Sequence, residues 1–63
     1  MKIDYIRKIT GNNGNVKYNV YYKSGRKFSY THNDNLPDSV LDMLLNGNCN
    51  TVYTSTGKIE TFC

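Results

Sequence analysis

Sixty-three residues, with no apolar run near the roughly 20 needed to cross a bilayer, make one small domain spanning 1–63 and exclude a membrane-spanning helix. The formal charge of +3 hides a segregation: residues 1–33 carry seven basic side chains against Asp4, net +6, whereas residues 34–63 carry Lys58 against four acids, net −3. A chain this short buries only about 60% of the surface its unfolded form exposes, which excludes a large core, and the basic half predicts a face that attracts polyanions.

The first predicted element, Lys2 to Thr10, alternates with Ile3, Tyr5 and Ile9 on one side, and Gly11-Asn12-Asn13-Gly14-Asn15 follows it. Asn13-Gly14 suits a two-residue type I′ turn, in which both central residues take positive φ. That turn sets Ile9 opposite Tyr18, Arg7 opposite Val20 and Tyr5 opposite Tyr22. Arg7 then falls on the apolar side, its stem packed and its charge escaping at an edge, and Ile6 on the polar side; a bulge in this strand would exchange them.

Val16 to His32 reads as a β-hairpin about Lys23-Ser24-Gly25. A type I turn with Gly25 in the left-handed position of a G1 bulge sets Tyr22 against Arg26, Val20 against Phe28 and Tyr18 against Tyr30, so all apolar partners share one face. A two-residue Ser24-Gly25 turn would pair Val20 with Ser29 and mix core with surface. The polar face carries Lys17, Asn19, Tyr21, Lys23, Lys27, Ser29 and Thr31.

Between His32 and Gly47 the period changes to that of a helix. Asn35 is the expected cap, with Pro37 in the first turn and Asp38 placed like the third residue of a capping box. Val40, Leu41, Leu44 and Leu45, extended back to Leu36, form the stripe expected to cover the sheet, with Asp38, Ser39 and Asp42 outward and Gly47 ending the helix in the left-handed conformation. Cys49 to Cys63 repeats the turn chemistry at Ser55-Thr56-Gly57, which sets Tyr53 against Ile59 and Cys49 against Cys63. A disulfide there would contribute about 3 kcal/mol in an oxidising compartment, while a cytoplasm would keep both thiols reduced. The expected architecture is α+β: an antiparallel three-stranded meander with one helix on its apolar face, then a C-terminal β-hairpin (βββαββ) that extends the sheet or closes over the helix.

Catalysis finds little support. The single His32 stands at a strand end with its nearest acid, Asp34, in a loop, and two cysteines offer too few ligands for zinc. No glycine-rich loop precedes a helix, so the expectation is a non-enzymatic binding protein without metal or cofactor. Lys2, Lys8, Lys17, Lys23, Arg26 and Lys27 around Tyr21 combine phosphate-neutralising charge with a ring able to stack on a base, the chemistry of RNA and single-stranded DNA binders. A second candidate surface, for a protein partner, joins Asp34, Asp38, Asp42 and Tyr53. The A/T-rich codon usage implied by abundant Asn, Lys, Tyr and Ile, with no Ala, Gln or Trp, suits a phage or mobile element. The leading expectation is therefore an anti-defence type of inhibitor that occludes a host protein or nucleoprotein complex; direct nucleic-acid binding is the alternative. The Met-Lys-Ile-Asp start lacks a signal peptide's apolar stretch, giving a cytoplasmic expectation, and an exposed meander edge would allow a homodimer.

From Val16 to Leu45 the chain resembles the KTSC domain, through Tyr22-Lys23-Ser24-Gly25, Phe28-Ser29-Tyr30 and Leu36-Pro37 opening a short helix that ends in Leu44-Leu45. The resemblance implies an RNA-binding role. Asn46-Gly47-Asn48-Cys49-Asn50 departs from the small-residue segment of that family, and a second hairpin follows.

Overall fold

The computed structural model describes residues 2–63, as five strands and one helix in chain order: β1 (Ile3–Thr10), β2 (Val16–Tyr22), β3 (Lys27–Thr31), α1 (Asp38–Asn46), β4 (Asn50–Tyr53) and β5 (Ile59–Phe62). All strands join one antiparallel sheet in the order β3-β2-β1-β5-β4. The C-terminal hairpin thus extends the sheet, and β5 covers the β1 edge that the meander alone would expose. The edges left for pairing are β3 and β4.

Three glycines take positive φ, Gly14, Gly25 and Gly57, and no other described residue does. Each closes the same turn. Tyr22 N–H donates to Arg26 O and Gly25 N–H to Tyr22 O; Gly57 N–H donates to Thr54 O and Thr54 N–H to Lys58 O. These two turns carry the expected registers, Val20 with Phe28, Tyr18 with Tyr30, and Tyr53 with Ile59.

The first turn is a correction. Asn13 does not adopt positive φ, so the type I′ turn is absent, and Gly14 N–H donates to Gly11 O while Gly11 N–H donates to Asn15 O. This is the same three-residue loop as the other two, and it moves the pairing by one residue: Ile9 faces Lys17, Lys8 faces Tyr18, Arg7 faces Asn19 and Ile6 faces Val20. Because strand side chains alternate, one step exchanges the two faces of β1. Ile6 enters the core, whereas Tyr5, Arg7 and Ile9 move to the face without the helix. A bulge between Ile3 and Tyr5 then ejects Asp4 and lets Ile3 pair with Tyr22 and rejoin the core side.

The core is small: Ile6, Val20 and Val40 are fully buried and Tyr22 nearly so, with Ile3, Tyr30, Leu36, Met43, Leu44 and Cys63 packed around them. Tyr22 meets Phe28 edge-on, ring centroids 5.5 Å apart. The helix is turned from the expected stripe. Val40 is buried and Met43 and Leu44 pack against the core, while Leu41 and Leu45 stay exposed and line a groove that the sheet closes with Lys8 and Tyr18, Leu45 being 80% exposed. Asp38, Leu41, Asp42 and Leu45 therefore form one exposed stripe whose two leucines border that groove.

Both predicted caps also differ. Pro37, with extended backbone, occupies the N-cap, and no side chain caps the helix. Gly47 has φ −79°, outside the left-handed region; its N–H donates to Met43 O, and an added Cβ would lie 2.4 Å from that same oxygen. Close approach, and not φ, requires glycine here. Gly47→Ala is expected to destabilise the domain by about 1–3 kcal/mol through backbone displacement, read as a lower urea midpoint at unchanged m-value.

Cys49 and Cys63 are joined by a disulfide, their Cα atoms 4.3 Å apart and 14 residues apart in sequence. The opposition is the expected one; the closed state departs from the expectation of free thiols. Cys63 also exchanges two backbone hydrogen bonds with Ile6, of 3.0 and 2.9 Å. One residue thus links the outermost strand to the core.

Candidate nucleic-acid interface on the open sheet face

Residues facing away from the helix follow from the strand pairings as three cross-strand rows. The first is Tyr5–Tyr21–Lys27, the second Phe62–Arg7–Asn19–Ser29, and the third Glu60–Ile9–Lys17–Thr31. Successive rows lie about 7 Å apart, two residues along each strand.

The first row is a stack. Tyr5 and Tyr21 have ring centroids 4.4 Å apart at 15°, and Lys27 Nζ lies 5.6 Å from the Tyr21 centroid. In sheet order Lys27 comes from β3, Tyr21 from β2 and Tyr5 from β1, so Tyr21 is flanked on both sides. Tyr5, 39% exposed, is the ring that an incoming base can reach. Offset aromatic stacking and a cation over the ring hold this row ready-made.

The second row centres on Arg7. Its guanidinium hydrogen-bonds and ion-pairs with Glu60 and lies 6.0 Å from the Phe62 ring centroid. The hydrogen bond to Glu60 raises the Arg7 pKa above its usual value, so the cation is permanent. Arg7 Nε is buried without a hydrogen-bond partner among the described residues. Beside it the nearly buried Asn19 accepts from Ser29 Oγ at 2.8 Å, which fixes the floor of the face.

The expected basic patch divides. Lys23 N–H donates to Lys2 O at 3.0 Å, which brings Lys2 to the turn that carries Lys23 and Arg26, at the Tyr5–Tyr21 end of the sheet. Lys2, Lys23 and Lys27 therefore gather at that end of the open face, with bulged-out Asp4 as the local acid, whereas Arg26, paired with the core residue Tyr22, falls on the helix side and does not belong to the patch. Lys17 stands two rows away. Lys8 does not belong to the patch: the one-residue shift turns it to the helix side, 5.9 Å from the Tyr18 ring centroid.

The second predicted surface does not assemble as one. Asp34 follows β3 and accepts from Thr31 N–H and Thr31 Oγ1, whereas Tyr53 stands on β4, four strand spacings or about 19 Å across the sheet. Asp38 and Asp42 remain together on α1, and Asp42 accepts from Asn46 Nδ2 at 2.7 Å.

Tyr5 and Arg7 are the residues that sequence reasoning left off the open face. A signal was present: a single shift would have removed both misfits, Ile6 on the polar side and Arg7 on the apolar side, and all three turns have glycine third in a Asn/Lys/Ser–Asn/Ser/Thr–Gly loop.

Among the described residues no three of His, Cys, Asp and Glu cluster as a metal site, and no helix is long and apolar enough to cross a membrane. Fold and face together define a small α+β domain, five antiparallel strands with a helix on one side and an open aromatic-basic surface on the other. No protein-family model, curated protein or solved structure matches the chain.

Proposed function

We propose that this protein is a non-catalytic binding module whose open sheet face takes up single-stranded nucleic acid. The observation that carries this reading is the Tyr5–Tyr21–Lys27 stack with Lys2 and Lys23 at the same end of the sheet. A base stacks on Tyr5 while the surrounding cations neutralise its phosphates; stacking of this kind is worth about 1–3 kcal/mol per base. The likeness of residues 16–45 to the KTSC module makes RNA the strand to try first.

Fluorescence anisotropy with labelled single-stranded RNA and DNA at about 50 and 200 mM salt tests it, because each neutralised phosphate steepens the salt dependence. Tyr5→Ala is expected to weaken binding about tenfold or more at unchanged salt slope, and Lys23→Ala with Lys27→Ala to flatten the slope. Absence of salt-sensitive binding at the lower salt removes the reading.

A protein target is favoured by a different observation, the exposed helix stripe Asp38–Leu41–Asp42–Leu45 with Leu45 80% exposed. In this second reading the chain is a phage-type inhibitor that lays an acidic-apolar helix face into a groove of a host nucleic-acid-handling or defence protein. Loss of the complex in Leu41→Ser/Leu45→Ser, with nucleic-acid binding intact, would separate the two. The compartment follows the cysteine pair: an oxidising environment keeps it closed, and a cytoplasmic setting opens it.

A further inference from the structure

We infer that the far end of the open face, beyond the aromatic row, is a pocket for a phosphate monoester, the terminal phosphate of a strand or of a mononucleotide. It rests in part on the nucleic-acid reading above, since the pocket adjoins the third row. A cavity of about 410 Å³ opens where the β1–β2 turn, the end of β3 and the turn before β5 meet. That volume lies within the range of small-ligand sites, about 300–1,000 Å³.

The lining has one electrostatic sign. Lys17 comes from β2 and Lys58 from the turn leading into β5, two cations distant in sequence that converge on one cavity, and His32 at the end of β3 adds an imidazole. Asn15 and Asn33 add amide donors, and Ile9 supplies an apolar wall. No carboxylate lines it. The two nearest acids in the strand pattern have other partners: Glu60, opposite Ile9, pairs with Arg7, and Asp34 accepts from the Thr31 N–H and hydroxyl.

Cations, amide donors and an apolar wall suit a dianionic phosphate attached to a flat or apolar group better than an internal phosphodiester, which carries one charge. The row spacing places the pocket about 14 Å from the Tyr5–Tyr21 stack along the strands. A short strand with its end phosphate on Lys17 and Lys58 therefore reaches the tyrosines with a base. The charge of the pocket thus favours a strand end over an internal phosphate.

The test compares one short oligonucleotide carrying a 5′-phosphate, a 3′-phosphate or hydroxyl ends, together with a free nucleoside 5′-monophosphate, on the full chain. One phosphorylated end is expected to bind about tenfold tighter than the hydroxyl-ended strand, the share of one or two charge-assisted hydrogen bonds. Lys58→Ala should erase that difference between ends, whatever it does to the affinity of the hydroxyl-ended strand; Tyr5→Ala should weaken all strands alike and keep the difference. Equal affinity for all ends, or a preference that survives Lys58→Ala, overturns the inference while leaving the sheet-face reading in place. If no oligonucleotide binds, that reading fails, and the monophosphate decides the pocket by amide shifts in NMR. Shifts at Gly11, Asn15 and His32 that vanish in Lys58→Ala then support it with the free nucleotide as ligand, and their absence overturns it.

Discussion

Ile6→Ala is expected to cost about 3 kcal/mol, near the upper end of what a domain of this size commands. Ile6 is fully buried against Val20 and Val40, and removing its outer carbons leaves a cavity that a nine-residue helix with one fully buried side chain cannot close. Ile9→Ala, on the open face and half-buried, should cost about 1 kcal/mol. The comparison is decisive because the type I′ register predicts the reverse order, Ile9 in the core and Ile6 in water. Urea unfolding followed by circular dichroism measures both. If Ile6→Ala is largely unfolded without urea, Ile6→Val gives the same information at about 1 kcal/mol. A larger loss at Ile9 than at Ile6 would overturn the pairing of β1 with β2.

Opening the Cys49–Cys63 disulfide should lower stability by a similar amount, about 3 kcal/mol for a loop of this length in the chain-entropy account. The double variant Cys49→Ser/Cys63→Ser and the reduced wild type should agree in urea midpoint. The loss also has a location. β4 is an exposed edge strand of four residues, tied to the rest by β5 and the disulfide, so its amides should exchange fastest in the reduced protein. Amides at Val20 and Phe28, in the meander, should change only by the global amount. A stability loss of only a few tenths of a kcal/mol would mean that the β5 pairing alone secures the C-terminal hairpin.

The two large effects meet at Cys63, which exchanges backbone hydrogen bonds with Ile6 and a covalent bond with Cys49. β5 also brings Glu60 and Phe62 to Arg7. That explains how a cation on the sheet can be held in place: its partners arrive from a strand more than fifty residues later in the chain.

By itself the sequence determined the two glycine turns at Gly25 and Gly57, the registers they impose, the opposition of the cysteines and the presence of one amphipathic helix. Each of these is local, because a single turn type fits the residues and period-two alternation then follows from it. It also placed Lys17, Tyr21 and Lys27 on the polar face, since their strand pairing hangs on Gly25. Tertiary structure decided the face of β1. Asn13-Gly14 is compatible with two turns differing by one residue, and only burial of Ile6 beneath Val40, with β5 supplying partners to both Ile6 and Arg7, separates them. The helix rotation that packs Met43 against the core and leaves Leu41 and Leu45 exposed has the same origin. Which side chains a surface buries depends on what lies across from it, and that is a non-local energy no local turn or period contains.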